Sequence, residues 1–386
     1  MSIFIETGTA SLSKYGEELC GDNIEVLRSN NSVLCVLADG LGSGVKANIL
    51  SKMTVKIIGT MVEKGATLEE VVETIGNTLP ICQKRGIAYS TFTVIQVREN
   101  GEAYVVEFDN PPFFFIREGK LVTPDYKETE IYGKKIRESR FQVKTGDILA
   151  VVSDGVVHAG IGGVLNLGWQ WRDVGEYLLR LSSQAMEAKD LSWWLMTACE
   201  QLYTGKPGDD ASVLALKIRE PRSMTVAAGP PANKEDDPYM VELLLSEPGT
   251  KVVCGGTTGS LVAGSLGTEI RVDLSSMEPD IPPVGHIEGI DLVTEGIITL
   301  SKTLEQLKKP AALQGAGPGQ KQKRNAVTLL TKLLLESDRI RFLVGTALNP
   351  AHQNPELSGL SLKMTVVNEM AHILKGLGKE VEVQYF

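Results

Sequence analysis

Two short apolar runs in this chain end the same way. Ser32–Ala38 runs into Asp39-Gly40, and Asp147–Ser153 runs into Asp154-Gly155. An unbroken apolar run of this length reads as a strand buried on both faces, which places each aspartate at a sheet rim. The following glycine permits a tight turn and lets a backbone carbonyl approach a ligand. Asp22, in Cys20-Gly21-Asp22-Asn23, and the pair Asp209-Asp210, just before the alternating run Ala211–Ile218, add carboxylates that could join one rim. A lone Asp-Gly is usually a β-turn, so the weight rests on the joint pattern. Carboxylates gathered closely repel unless a cation neutralises them.

The residue inventory limits which cation. Only four histidines are present, His158, His286, His352 and His372, so a His-rich centre is excluded. Metal chemistry falls to carboxylates, which select hard ions such as Mg²⁺ or Mn²⁺. The five cysteines are scattered without a CxxC, which indicates neither a disulfide framework nor a zinc knuckle. With 39 basic and 48 acidic residues, the net charge of −9 disfavours nucleic acid and anionic membranes as partners. No apolar run approaches the ~18 residues of a membrane span, and the start lacks a signal-peptide pattern. A cytoplasmic location is expected.

The rest of the first 219 residues reads as strands around one helical block. Val45–Lys64 and Leu68–Leu79 carry helical spacing. Thr91–Arg98, Ala103–Phe108 and Pro112–Arg117 are β-rich runs split by turn signals, and Val174–Leu181 and Leu191–Tyr203 look helical. Residues 220–237, rich in Pro, Ala, Gly and charge, are expected to be a linker. From 238 to 386 the pattern alternates: strands at Lys251–Cys254, Glu269–Val272, Ile340–Gly345 and Val381–Phe386; helices at Ser260–Leu266, Thr294–Lys309, Arg324–Glu336 and Leu362–Lys375. This predicts a smaller α/β domain with a largely parallel sheet.

The elements Gly21-Asp22-Asn23, Ala38-Asp39-Gly40-Leu41-Gly42-Ser43-Gly44, Val151-Val152-Ser153-Asp154-Gly155 and Gly208-Asp209-Asp210-Ala211-Ser212 occur in one order. In that order they resemble the PP2C-type metal-dependent serine/threonine phosphatases, in the bacterial SpoIIE-like branch. The resemblance covers roughly residues 1–219. It implies an α+β fold: an αββα sandwich of two antiparallel sheets with flanking helices and two Mn²⁺ or Mg²⁺ ions at one end. It implies that Asp39 bridges both ions and that the Gly40 carbonyl binds one. Asp154 and Asp209 would hold the other, Asp22 would act as a ligand or through a bound water, and Asp210 is a weaker member. The implied chemistry is attack by a metal-bridging hydroxide on phosphoserine or phosphothreonine of a regulatory protein, in this branch often an antagonist of an anti-sigma factor. Many relatives outside the branch place a basic residue near the first acidic motif; here only Lys14 is available. His158 could protonate the leaving alkoxide, or be an ordinary loop histidine. The helices of 45–79 are implied to switch the site, or they simply pack on a sheet. The competing reading is a PP2C-like sensor or scaffold with weak or no turnover.

In the second domain, Cys254-Gly255-Gly256-Thr257-Thr258 links a strand to a helix. Free N–H groups at the helix start and two hydroxyls would suit a small anionic effector. The loop is loosely similar to a Gly-Gly-Thr-Thr loop of sugar-phosphate-sensing domains, and an ordinary capped turn is the plainer reading. Asp291, Thr294, Glu295 and His352 could line the same crevice. A regulatory or ligand-sensing role is expected for this domain.

Overall fold

The computed structural model describes residues 3–29, 31–78, 81–82, 87–88, 90–131, 134–184, 186–309, 324–347 and 362–386. The chain divides into two compact units, Met1–Glu220 and Pro221–Phe386.

The first unit runs β1 (Phe4–Leu12), β2 (Asp22–Arg28), β3 (Ser32–Gly40), α1 (Gly44–Glu63), α2 (Leu68–Thr78), β4 (Ile81–Cys82), β5 (Ile87–Ala88), β6 (Ser90–Arg98), β7 (Glu102–Phe108), β8 (Phe114–Arg117), β9 (Lys120–Leu121), β10 (Tyr126–Ile131), β11 (Lys134–Gln142), β12 (Ile148–Val152), α3 (Asp154–Val157), α4 (Trp171–Ser182), α5 (Ala188–Leu202) and β13 (Ala211–Arg219). Two main antiparallel sheets result, in the orders β1-β13-β12-β8-β9 and β10-β11-β7-β6-β3-β2. Period-2 alternation explains the layers. In β3, Val33, Cys35 and Leu37 face the other sheet, meeting Leu149, Val151, Leu214 and Leu216 in the sandwich core. The intervening Leu34, Val36 and Ala38 turn outward and are covered by Val55 and Ile58 of α1 and Val71 and Ile75 of α2. The outer face of the other sheet is covered by α4 and α5 through Val174, Leu178, Leu191 and Leu195. Each fully buried side chain of this size contributes about 1.5–3 kcal/mol. The αββα sandwich expected from sequence is the fold.

The second unit contains β14 (Ser223–Ala228), α6 (Asp237–Ser246), β15 (Thr250–Cys254), α7 (Gly256–Leu266), β16 (Arg271–Asp273), β17 (Val284–Ile287), β18 (Ile290–Thr294), α8 (Ile297–Leu307), α9 (Ala326–Glu336), β19 (Arg339–Val344), α10 (Leu362–Gly376) and β20 (Glu380–Tyr385). Its sheet has the order β16-β17-β18-β15-β14-β19-β20. The strands from β18 to β20 are parallel, and β16 and β17 form an antiparallel edge. Helices α8, α9 and α10 cover one face, while α6 and α7 cover the other.

The stretch 220–237 is not a linker. It holds β14, in the middle of the second sheet, hydrogen-bonded to β15 on one side and β19 on the other. Met224–Ala228 are buried. A central parallel strand needs no alternation, and its two alanines carry little strand signal. Pro238 sits in the first turn of α6, where its fixed φ and missing N–H are tolerated. Thr294, expected to open a helix, instead ends β18. The polar, Gly-rich stretch 314–323, a loop by its sequence, and His352 lie outside the described residues.

Candidate metal centre

The sheet register brings the acidic residues together. Asp22 opens β2 and stands directly opposite Asp39 near the end of β3. Asp154 follows β12 and opens α3, while Asp209 and Asp210 precede β13, the antiparallel neighbour of β12. Ser153 and Ser212 close that junction through Ser153 N–H to the Ser212 carbonyl at 3.0 Å and Ser212 N–H to Ser153 Oγ at 2.9 Å. A Cβ on Gly155 would lie 2.0 Å from the Asp210 carbonyl oxygen, so only glycine allows this approach.

These carboxylates sense one another. Burial pushes Asp39 up to about 10, and the charges of Asp22, Asp154 and Asp209 add to the rise. Burial pushes Asp22 up to about 7, with Asp210 and Asp154 acting the same way. The nearby Ser153 and Ser212 hydroxyls temper that rise. Yet Ser153 Oγ accepts the Ser212 N–H, and Ser212 Oγ pairs with Ser11 Oγ at 2.8 Å. Asp209 is also raised, by burial first and then by Asp154, while Lys14 pulls it down. Lys14 N–H donates to Asp210 Oδ1 at 3.0 Å. Asp22 and Asp210 are 4% and 3% exposed. Among the described residues, both Asp22 oxygens and Asp210 Oδ2 lack a hydrogen-bond partner.

Buried carboxylate oxygens left unpaired cost several kcal/mol unless a cation meets them. The donor set is all oxygen, which fits a hard divalent ion. Among the described residues, no three acidic, histidine or cysteine side chains already stand in metal-holding geometry. The backbone thus gathers the donors at one rim, while the side chains stop short of a finished cage.

A polar frame fixes the rim to α1. Ser51 Oγ donates to the Gly21 carbonyl at 2.5 Å, Asn23 Nδ2 donates to Ser51 Oγ at 2.7 Å, and Asn48 Nδ2 donates to the Cys20 carbonyl at 2.8 Å. Gly40 packs so closely on α1 that a Cβ there would fall 2.1 Å from the Ala47 carbonyl oxygen. Ser90 Oγ donates to the Asp39 carbonyl, and Asn110 Nδ2 spans from Thr93 Oγ1 to the Val152 carbonyl. Sequence reasoning missed this frame, because single Ser and Asn residues carry no signal until the register is known. His158, the suggested proton donor, is exposed at the end of α3.

In the second unit, Gly255, Gly256, Thr257 and Thr258 form the start of α7, and Gly255 N–H donates to the Thr294 carbonyl at 2.9 Å. Glu295 accepts the Ile298 N–H and so caps α8. Asp291 is elsewhere. It accepts the Lys251 N–H near the start of β15, at the amino ends of the strands rather than the carboxyl ends where α7 begins.

The first unit is a two-sheet αββα sandwich with a rim of aspartates, the arrangement that the resemblance to PP2C-type phosphatases implies. Residues 29–219 match the family model for stage II sporulation protein E (SpoIIE). The first unit thus carries a SpoIIE family-model domain and is homologous to PP2C-type serine/threonine phosphatases. The stage II sporulation protein E of Priestia megaterium is 22% identical over 221 residues, covering 56% of this chain and 36% of the relative. The chain thus matches only about a third of that relative's length. The solved phosphatase domain of SpoIIE from Bacillus subtilis aligns at 20% identity and a TM-score of 0.43, covering 57% of this chain and 94% of that one. A structure of RsbX in complex with magnesium aligns at 18% identity and a TM-score of 0.41, covering 55% and 95%. PP2C-family phosphatases are metal-dependent. Among the described residues, no helix is long and apolar enough to cross a membrane.

Proposed function

We propose that this chain is a Mn²⁺- or Mg²⁺-dependent protein phosphatase acting on phosphoserine or phosphothreonine of a regulatory protein, with the second unit as its regulator. The carrying observation is that, among the described residues, both Asp22 oxygens and Asp210 Oδ2 are unpartnered at the rim that also holds Asp39, Asp154 and Asp209. In this reading Asp22, Asp39, Asp154 and Asp209, with the Gly40 carbonyl and Asp210, hold two ions. Bound there, such ions lower the pKa of water and neutralise phosphate charge. The Ser153–Ser212 junction and the α1 frame hold the carboxylates in place. Lys14, within electrostatic reach of Asp209, would meet the phosphate of the incoming residue. Lys14→Met is then expected to raise KM with kcat little changed, measured on a phosphopeptide series. The substrate type that the family resemblance carries is an anti-sigma-factor antagonist, in a cytoplasmic setting.

The experiment is phosphate release from a phosphoserine protein with and without Mn²⁺. Manganese-dependent release, cut on the order of 10²-fold or more by Asp39→Asn and Asp154→Asn, supports the phosphatase. The competing reading is a scaffold with weak or no turnover. Metal binding without release from any phosphoprotein or small phosphate ester would decide for it.

A further inference from the structure

The second unit carries a crevice of its own. Its first strand, β14, lies inside the sheet; β15 and β18 follow outward on one side, β19 and β20 on the other. The winding reverses between β14 and β19, and in such sheets ligands bind outside the carboxyl ends of the strands at the reversal. Three observations converge there. First, α7 starts without a side-chain cap and without an acidic residue in its first turn. Gly259 N–H is the first to reach back along the helix, to the Gly255 carbonyl at 2.8 Å. The N–H groups of Gly256, Thr257 and Thr258 therefore have no intrahelical acceptor. Second, the Thr258 side chain is fully buried, and its hydroxyl has no partner among the described residues. It faces the glycine turn, 3.4 Å from where a Cβ on Gly255 would stand. Third, Lys363, near the start of α10, lays its ammonium on Gly229, the residue after β14; a Cβ on Gly229 would fall 2.0 Å from Lys363 Nζ. No carboxylate pairs with Lys363 among the described residues, and burial holds its pKa below the ordinary value.

The same turns interlock. The missing Cβ of Gly255 would lie 3.9 Å from Gly229 N, and Gly229 N–H donates to the Cys254 carbonyl at 3.2 Å. Gly345, after β19, packs on Pro230 and Gly229. Among the described residues, nothing lies within 4 Å of a Cβ on Gly256. Glu295, the acidic neighbour, spends its carboxylate on the start of α8.

We infer that the second unit binds a phosphoryl group of a small metabolite, held by the α7 N-terminus, Thr258 Oγ1 and Lys363 Nζ at the carboxyl ends of β14 and β15. Donors from two elements, the first turn of α7 and Lys363 of α10, with one of them a cation, suit a phosphoryl dianion. This inference adds Lys363 to the loop residues named from sequence, and it stands whether or not the first unit turns over substrate.

The test is calorimetric titration of the full chain in EDTA, which keeps divalent ions out of the aspartate rim, using inorganic phosphate, adenosine 5′-monophosphate and glucose 6-phosphate as probes. At least one probe is expected to bind, and both Lys363→Met and Thr258→Val are expected to weaken it by about tenfold. Lys375→Met and Asp39→Asn are expected to leave binding unchanged. Preference among the probes separates a nucleotide from a sugar phosphate. No binding by any probe, or binding indifferent to Lys363→Met and Thr258→Val, overturns the inference. Thermal melting supplies a second readout. Without ligand, Thr258→Val is expected to melt no lower than the wild type, because the hydroxyl it loses has no partner; a clear fall would overturn the assignment.

Discussion

Asp22 shows how a residue can serve function against stability. Both of its oxygens are buried and unpartnered among the described residues. Without metal, its charge is an uncompensated cost. Asp22→Asn is therefore expected to stabilise the chain in EDTA by about 1–3 kcal/mol while weakening Mn²⁺ binding, read by paired melts with and without metal. Glu107, on β7, makes a pH-dependent case away from the rim. Burial pushes its pKa from 4.5 up to about 7, against the pull of the Phe113 N–H and Arg137. Between those values the folded chain keeps a proton that the unfolded chain has released. Stability therefore declines as pH rises through that window and levels above it. Glu107→Gln keeps an oxygen for the Phe113 N–H and is expected to remove that decline, on the order of 2 kcal/mol by pH 8. Denaturant melts at pH 5 and pH 8 check it; parallel curves for both proteins would contradict it.

At the scale of elements, the rim depends on two junctions. The β12–α3 turn presses against the start of β13, and Gly155 is the contact. Gly155→Ala must push Asp210 and Ala211 aside, with an expected cost of about 1–3 kcal/mol and a matching loss of metal affinity. The second junction is α1, whose Ser51 and Asn48 hold the backbone of Cys20 and Gly21. Ser51→Ala is expected to lower turnover more than it lowers the melting temperature, because it frees the strand that carries Asp22. Equal proportional losses would mean that the frame serves stability alone. The apolar runs and helical spacings that made β3, β12, α1 and α5 legible are long and strongly patterned. Phe4–Leu12 and Asp22–Arg28 are strands too. Their alternation is broken by small and charged residues, so only pairing with β13 and β3 reveals them.

Across the whole molecule, the aspartates were legible because each sits at a strand end marked by Gly or a following apolar run. Which of them share a rim was legible only through the resemblance, since register is a long-range property. The boundary was displaced for a related reason: β14 gains its burial from β15 and β19, far along the chain. Lys363 carried no sequence signal, because its place over Gly229 depends on the packing of α10. The net charge of −9 also reads differently once several aspartates face one rim. On the proposed function, part of that acidity would bind cations rather than form a solvated surface. The most direct measurement is Mn²⁺ binding to the full chain, followed by electron paramagnetic resonance, for the wild type, Asp39→Asn and Asp154→Asn. The expected result is about two bound ions per wild-type chain, with affinity lost in both variants. Binding of equal strength in all three proteins, or none in the wild type, would contradict the aspartate rim as a metal centre.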